Sequence, residues 1–218
     1  MKNYKKIVDR YSCISFDIFD TLVQRKVDTP SDVFYLTGMK IFGNEQEAIN
    51  FKTNRIKAEE MARKLRGEIS IEDIYELLKE NYSHKTAQLY EQEVKTEIEV
   101  CNPIELMLEV VDYALKQDKT VILISDMYLK HSTIEEILNK CDVKGYLKLY
   151  VSCECGCNKL SGKLFNRVLA ENNISCENMV HFGDSIKADY IGAKKAGIRG
   201  YLVHRKNRLS RIFKRWIG

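Results

Sequence analysis

The apolar positions of this 218-residue chain form two kinds of pattern. Short continuous apolar runs, which are typical of buried strands, occur once near the N-terminus and then repeatedly in the second half. The segments between the later runs have the apolar spacing of amphipathic helices. The predicted strands are 12–16, 120–124, 147–152, 178–182 and 200–203, and the helices between the later ones are 132–140, 163–172 and 186–196. Strands that alternate with helices predict parallel pairing with right-handed crossovers.

The interval from residue 25 to residue 100 predicts helices and no strand. Its helical signals are two N-cap positions, one long charged amphipathic run and one later helical run. They lie at Ser31 before Asp32, at 44–66, at Ser70 with Asp73, and at 85–100. Asn102 and Pro103 then predict the cap and the first position of a further helix. Because the first strand must join the sheet across this interval, the simplest fold is α/β, a doubly wound parallel-sheet core with an all-helical insertion after the first strand.

This pattern predicts a discontinuous core, an inserted helical unit and a short C-terminal tail. Their predicted bounds are 1–24 with 101–205 for the core, 25–100 for the insertion, and 206–218 for the tail. Hydrophobic residues make up 44% of the chain and charged residues 30%, which is ordinary for a globular protein. The first residues are not followed by an apolar signal core, and seven cysteines, an odd number, favour reduced thiols. We therefore expect a cytoplasmic protein.

The basic character of the chain is concentrated at its C-terminal end. Residues 205–218 hold six Lys or Arg and no acid, so a net charge of +4 leaves a net charge of −2 on the rest. This distribution gives no reason to expect nucleic-acid binding. The tail also carries an apolar stripe at helical spacing, formed by Leu209, Ile212, Phe213, Trp216 and Ile217. A basic amphipathic segment favours a peripheral membrane contact or a protein contact, either with this chain's own core or with a partner.

Acidic and hydroxyl residues follow the first predicted strand at once. Asp17 ends the apolar run that begins at Cys13, and Asp20 and Thr21 come directly after. In an open α/β sheet, ligands bind at the carboxyl ends of the strands. A carboxylate fixed there can attack phosphorus or carbon and so divide one difficult step into two.

Three later segments place chemically useful residues in similar positions. Ser125 and Asp126 follow the strand at 120–124, a lysine precedes the aromatic Phe165, and an acidic pair follows the strand at 178–182. The acidic pair comprises Asp184, in Gly183-Asp184-Ser185, and Asp189. Together with the first segment, these resemble the four motifs of the haloacid dehalogenase-like (HAD) superfamily in their order. Most members of that superfamily transfer phosphate through a nucleophilic aspartate. The helical insertion similarly resembles its C1-type cap, which selects the substrate.

The resemblance implies a role for each matching residue. Asp17 would be the nucleophile and Thr21 would position its loop. Ser125 and Lys159 would hold the transferring phosphate, with Asp126 near the substrate. Lys163 competes for the lysine role, but counting back six residues from the aromatic selects Lys159.

A Mg²⁺ ion would relieve the repulsion between a carboxylate nucleophile and a phosphate. Asp17, Asp184 and the backbone carbonyl of Phe19 could supply oxygen ligands, and Asp189 would complete the metal site by orienting waters or Asp184.

One position departs from the phosphatase pattern. When the segment is aligned on Thr21, Phe19 takes the place of the usual acid/base Asp, and Asp20 falls one residue later. An aromatic residue there resembles the dehalogenase branch, whereas Gly183-Asp184-Ser185 favours phosphate chemistry. We therefore expect a Mg²⁺-dependent phosphomonoesterase of a small phosphorylated metabolite, with Asp17 forming an aspartyl-phosphate and Asp20 as the candidate acid/base. The alternatives are a metal-independent 2-haloacid dehalogenase and a non-catalytic phosphate-binding module.

Two further segments bear on chemistry. The first motif looks like a variant seen in HAD proteins linked to bacterial surface-polysaccharide synthesis, which favours a sugar or polyol phosphate as substrate. Cys153, Cys155 and Cys157 invite a zinc interpretation, but their Cys-x-Cys-x-Cys spacing lacks a second ligand pair. A loop of reduced cysteines near the active site is therefore the better hypothesis.

Overall fold

The computed structural model describes residues 2–203, so the tail predicted at 206–218 lies outside the described residues. A five-stranded parallel sheet forms the core, and its strand order is β5-β4-β1-β6-β7. A separate two-stranded antiparallel ribbon joins β2 to β3. The strands are β1 (Cys13–Phe16), β2 (Val23–Arg25), β3 (Cys101–Pro103), β4 (Thr120–Ser125), β5 (Lys148–Val151), β6 (Met179–Gly183) and β7 (Arg199–Leu202).

The sheet is buried on both faces, which explains why its strands read as continuous apolar runs. Every residue of β1 and β6 is buried. Ile14 and Phe16 belong to one hydrophobic cluster, whereas Cys13 and Met179 belong to a second cluster. Alternate side chains of a strand point to opposite faces, so the two clusters cover the two sides of the sheet. This confirms the predicted α/β core with a parallel sheet.

The helices follow the predicted alternation closely. Helices α2 to α5 lie between β2 and β3, in the interval predicted for the cap, and the other six surround the sheet. They are α1 (Lys2–Val8), α2 (Asp32–Phe42), α3 (Glu45–Arg66), α4 (Ile71–Tyr82), α5 (Thr86–Val100), α6 (Glu105–Lys116), α7 (His131–Lys140), α8 (Ser152–Cys155), α9 (Lys163–Glu171) and α10 (Gly192–Lys195). Within residues 2–203, no helix is both long enough and apolar enough to cross a membrane.

Two predicted helix caps are wrong. Asn102 and Pro103 do not begin a helix but pair with β2, and α6 starts at Glu105. The Asn102 amide donates to Val100 O instead of capping. Ser31 precedes α2 as predicted, but its side chain makes no capping hydrogen bond. By contrast, the capping box of Ser70 and Asp73 is confirmed.

Features that the sequence did not predict include α1, α8, the β2–β3 ribbon and a π-helix. The predicted helix 186–196 divides into a π-helical segment, Ile186–Ile191, and the short α10. π-Helical turns often occur at functional sites. Here the segment begins directly after Gly183-Asp184-Ser185 and includes Asp189.

Strand order places β1 at the centre of the sheet. From β1, the strands β4 and β5 extend to one side, and β6 and β7 extend to the other. Such a reversal of order opens a crevice at the carboxyl ends of the central strands. Asp17, Ser125 and Asp184 each lie at or just after the end of one of these strands. The fold therefore brings three of the four motifs to one edge, and the chemistry depends on their side-chain geometry.

Candidate active site

Asp17 is a buried carboxylate directly after β1. Its backbone N–H donates to Phe182 O at 2.8 Å, which continues the pairing of β1 with β6. The Thr21 hydroxyl donates to Asp17 Oδ2 at 3.0 Å, and Lys159 Nζ donates to Oδ1 at 2.6 Å. Burial raises the pKa of Asp17 above its ordinary value, and the charge of Lys159 opposes that rise. Both carboxylate oxygens are thus held in place at the edge of the crevice.

Lys159 is 2% exposed and connects two carboxylates. Its Nζ lies 2.6 Å from Asp17 Oδ1, 2.6 Å from Asp189 Oδ1 and 3.3 Å from Ile124 O. These three acceptors match the three protons of an ammonium group. Burial would lower the pKa of Lys159, but the charges of Asp17 and Asp189 raise it above its ordinary value. Lys163, the competing lysine, is exposed at the start of α9, so the structure brings Lys159 and not Lys163 to Asp17.

Asp189 is held by donors from three parts of the chain. Its Oδ1 accepts from Lys159 Nζ and lies 3.1 Å from His181 Nε2, and its Oδ2 accepts from the Ser185 N–H at 2.8 Å. Although burial opposes ionisation, Lys159 and His181 hold the pKa of Asp189 below its ordinary value. A Cβ atom at Gly183 would lie 2.2 Å from Asp189 Cγ. Glycine in the Gly183-Asp184-Ser185 motif is therefore required by the close approach of Asp189.

Three carboxylates form a candidate metal centre. One oxygen each of Asp17, Asp184 and Asp189 lie within 4.8 Å of one another, and no other group of three such side chains among residues 2–203 meets this criterion. With Lys159 included, the cluster has a formal charge of −2, which suits a divalent cation. Oxygen donors are those that Mg²⁺ prefers. Since Asp189 already accepts from three donors, Asp17 and Asp184 are the better candidates for direct ligands.

The first-motif loop contains the departure from the phosphatase pattern. Asp20 adopts a left-handed conformation, with φ 64°, and its N–H donates to Val23 O at 2.6 Å. Asp tolerates this conformation better than most residues. The Phe19 ring packs against the guanidinium of Arg25 at 4.3 Å. The roles predicted for the Phe19 carbonyl and the Asp20 side chain stay predictions.

The second-motif residues lie beside the lysine. Ser125 ends β4 and is 1% exposed. The Asp126 carboxylate accepts from the Lys159 N–H at 2.9 and 3.2 Å. Burial raises the pKa of Asp126, although Lys159 opposes that rise. The structure therefore gives Asp126 a contact that orients the lysine loop, whereas its contact with substrate stays a prediction.

Sequence reasoning missed two buried polar residues, Ser15 and His181. They stand opposite each other in the register of β1 and β6, with Ser15 Oγ 2.8 Å from His181 Nδ1. Burial lowers the pKa of His181 below its ordinary value. The signal for them is a polar side chain in the middle of each of two apolar strands that both end in Asp.

A small polar cavity lies beside these motifs. Its volume is about 290 Å³, and it is lined mainly by hydrogen-bonding residues. The insertion contributes Arg63 and Glu68, and the Glu68 carboxylate accepts from the Asn158 amide at 2.8 Å. The core contributes Asp126, Ser152, Asn158, Leu160, Ser185, Lys187 and Ala188. Residues of the predicted cap thus meet the loops that carry the motifs at this cavity.

The cysteine segment follows β5, near the same edge of the sheet, and the prediction that it is a loop is wrong for its first part, which is helical. Cys153 and Cys155 are in α8 and Cys157 follows it, and all three are half-buried. Burial raises the pKa of each thiol, that of Cys153 to about 11. The expectation that they bind no zinc stays a prediction.

Comparison with known proteins identifies the family. A family model described as haloacid dehalogenase-like hydrolase matches residues 11–197. Haloacid dehalogenase-like hydrolase domain-containing protein 3 of Xenopus laevis is 31% identical over 74 residues, which are 34% of this chain and 30% of that protein.

Solved structures have the same fold at low sequence identity. The HAD-hydrolase YfnB of Bacillus subtilis, bound to magnesium, has a TM-score of 0.62 and 18% identity, over 94% of this chain and 99% of that chain. The L-2-haloacid dehalogenase of Xanthobacter autotrophicus has a TM-score of 0.63 and 12% identity, over 94% of this chain and 83% of that chain. At these identities, the structural similarity shows the fold alone.

Proposed function

Because this chain belongs to the haloacid dehalogenase-like hydrolase family, we propose that it is a Mg²⁺-dependent phosphomonoesterase of a small metabolite. The observation that carries this proposal is the cluster of Asp17, Asp184 and Asp189 around the buried Lys159. Its formal charge of −2 attracts a divalent cation to the nucleophile. The hydrolysis of haloacids does not require such a cation. A bound Mg²⁺ would neutralise charge on the phosphoryl oxygens. The magnesium bound to the similarly folded YfnB agrees with this proposal.

In this reaction, an oxygen of Asp17 attacks the phosphorus of the ester. The bond to the leaving-group oxygen breaks as the aspartyl-phosphate forms, and that oxygen takes a proton from a general acid, for which Asp20 is the candidate. Water then attacks phosphorus, releasing inorganic phosphate and the free Asp17 carboxylate. The Lys159 ammonium and the Ser125 hydroxyl stabilise negative charge on the transferring oxygens, and Thr21 keeps Asp17 oriented.

The proposed substrate is a sugar or polyol phosphate. The cavity beside the motifs holds about 290 Å³, which suits a compact leaving group. Its lining offers charged, amide and hydroxyl groups and few apolar ones, which suits a leaving group rich in hydroxyls. We further propose a cytoplasmic location, in line with the reduced cysteines expected from the sequence.

The test is phosphate release from a panel of sugar, polyol and nucleoside phosphates with Mg²⁺. Asp17→Asn should abolish turnover, and Asp184→Asn should raise the Mg²⁺ concentration needed for half-maximal rate. Lys159→Met should abolish turnover, whereas Lys163→Met, a matched change of an exposed lysine, should leave the rate unchanged. Absence of turnover on the whole panel would reject the proposal, and binding without release would favour a phosphate-binding module.

A specific observation favours a second candidate, the 2-haloacid dehalogenase. Phe19 occupies the position at which phosphatases of the family have their acid/base Asp. Its ring packs against the guanidinium of Arg25. This reaction would use the same Asp17 nucleophile on carbon. Halide release from 2-haloacids that survives EDTA would support it, and loss of all activity with EDTA would exclude it.

A further inference from the structure

The proposed reaction leaves one partner of Asp189 without a role. His181 is fully buried on β6, and its Nε2 lies 3.1 Å from Asp189 Oδ1. Its Nδ1 lies 2.8 Å from the hydroxyl of Ser15, the residue opposite it on β1. Its ring packs edge-on against Phe165, with centroids 4.8 Å apart. An unbroken series of contacts therefore runs from the centre of the sheet to Lys159 and the nucleophile.

Hydrogen-bond chemistry fixes the position of one imidazole proton. Lys159 Nζ and the Ser185 N–H both donate to the Asp189 carboxylate, which favours its ionised form. An ionised carboxylate can only accept hydrogen bonds. Nε2 of His181 must therefore carry a proton and donate it to Asp189 Oδ1. The Ser15 hydroxyl, within reach of both Nδ1 and Val180 O, supports the other side of the ring.

The three donors to Asp189 restrict both its position and its rotation. Oδ1 accepts from His181 and Lys159, and Oδ2 accepts from the backbone at Ser185. Lys159 Nζ is equally close, at 2.6 Å, to Asp189 Oδ1 and to Asp17 Oδ1. A rotation of the Asp189 carboxylate would consequently move the ammonium group away from the attacking oxygen.

We propose that His181 is a positioning residue of this site, which donates from Nε2 to Asp189 and thereby holds Lys159 against Asp17. The kinetic consequence rests on the proposed phosphatase function, whereas the geometry does not. His181 contacts Asp189, which in turn contacts Lys159, so its loss should affect the chemical step more than substrate binding. Its effect should therefore appear in kcat and hardly in KM.

Paired substitutions separate positioning from packing. His181→Phe keeps an aromatic ring against Phe165 and removes the donor, whereas His181→Gln offers an amide N–H close to the place of Nε2. We expect His181→Phe to lower kcat about 10–100-fold, the usual effect of losing a partner that orients an active-site group. His181→Gln should retain most of kcat, and both variants should keep the KM of the parent chain.

Phe165→Leu is the matched control, because it disturbs the same packing and leaves the donor in place. It should lower Tm without lowering kcat. Equal losses of kcat in His181→Phe and His181→Gln would overturn the proposal. The proposal would also be overturned if Phe165→Leu lowered kcat as much as His181→Phe does while the two variants had the same Tm.

A second measurement needs neither a variant nor a substrate. NMR of the unsubstituted chain with ¹⁵N-labelled histidine distinguishes protonated from unprotonated ring nitrogens. We expect His181 Nε2 to be protonated, and an unprotonated Nε2 would overturn the proposal even in an active phosphatase. A protonated Nε2 in a chain that hydrolyses no phosphate ester would support the contact and reject the proposed reaction, so the two failures can be told apart.

Discussion

At the residue scale, the contact between Lys159 and its two carboxylates is the strongest sign of chemistry. Removing a lysine and two carboxylates from water costs free energy that their attraction often does not recover. Apolar residues of similar volume would stabilise the core as well or better. The buried cluster of Asp17, Lys159 and Asp189 is therefore better explained by reactivity than by stability.

Asp20→Asn tests the proposed acid/base residue. Asn tolerates the left-handed conformation of Asp20 as well as Asp does, so the substitution removes the acid and preserves the turn. General acid catalysis typically contributes about 10²–10⁴-fold. We expect a loss of that order in kcat/KM for a sugar phosphate and a much smaller loss for p-nitrophenyl phosphate, whose leaving group needs little protonation. Initial rates at saturating Mg²⁺, measured over a range of substrate concentrations, give kcat/KM for each of the two substrates.

Asp20→Gly is the control for the backbone, because glycine adopts this conformation without strain. It should behave like Asp20→Asn toward both substrates. Equal slowing of both substrates by Asp20→Asn would mean that Asp20 supports the loop. The acid would then be sought at Asp126, whose pKa is raised by burial.

Sequence reasoning predicted the motif residues but not the pair behind them. Asp17 and Lys159 are marked by their resemblance to motifs of the family, which can be read along the sequence alone. Ser15 and His181 become partners only through the register of β1 and β6, 166 positions apart in the chain. A polar residue in a buried strand signals that a partner exists, but the partner cannot be identified before the strands are paired.

At the element scale, α3 differs most from its sequence pattern. Its sequence predicts only a charged amphipathic run, yet Arg55 is fully buried and makes paired contacts with Glu93 of α5. Its guanidinium also packs over Phe34 and Tyr128. The ion pair thus joins two helices of the insertion at its interior. A local pattern could not reveal this, because the partner lies 38 residues away.

Arg55→Ala should strongly destabilise the protein. Breaking a buried pair leaves an uncompensated charge and typically costs about 3–5 kcal/mol. Urea unfolding followed by circular dichroism measures the free energy of unfolding. Arg63→Ala on the same helix is the control, since its pair with Glu59 is half exposed and should be worth at most about 1 kcal/mol. If Arg55→Ala and Arg63→Ala both lowered the free energy of unfolding by a similar small amount, Arg55 would be solvated and not buried.

The wrong cap at Asn102 and Pro103 also has a cause at this scale. Both residues are good local signals for a helix start, and Pro103 has no N–H to lose. Pairing of β3 with β2 takes these residues into an antiparallel ribbon instead. The ribbon connects the two ends of the helical insertion, a tertiary arrangement that the local signal does not contain.

At the scale of the whole molecule, the parallel sheet was predictable because its strands are buried on both faces. Burial leaves continuous apolar runs and a regular alternation with helices. The way in which the insertion meets the core was not predictable. Glu68 of the insertion contacts Asn158 next to Lys159, and Ile71 N–H donates to Tyr128 O. These contacts between distant segments decide which side chains line the cavity.

Substrate discrimination should depend on the residues that the insertion contributes to this cavity. Arg63→Met and Glu68→Gln should change the ratio of kcat/KM between substrates, because in the proposed reaction the motif residues contact only the phosphate that all substrates share. The Mg²⁺ concentration for half-maximal rate should change little. Lys64→Met, an exposed neighbour on α3, is the control and should alter neither quantity. A uniform loss on every substrate would assign the insertion a structural role alone.

The C-terminal tail should be separable from catalysis. Residues 206–218 combine five basic side chains with an apolar stripe, whereas every motif residue lies before residue 190. We therefore propose that the tail makes a peripheral contact with an anionic membrane or a protein and does not take part in the reaction.

Deleting 206–218 should leave hydrolysis of a small phosphate intact and abolish co-sedimentation with phosphatidylserine vesicles. Neutral phosphatidylcholine vesicles are the control for charge. Retained vesicle binding after the deletion would exclude the membrane contact, and loss of the folded state would instead assign the stripe to the core.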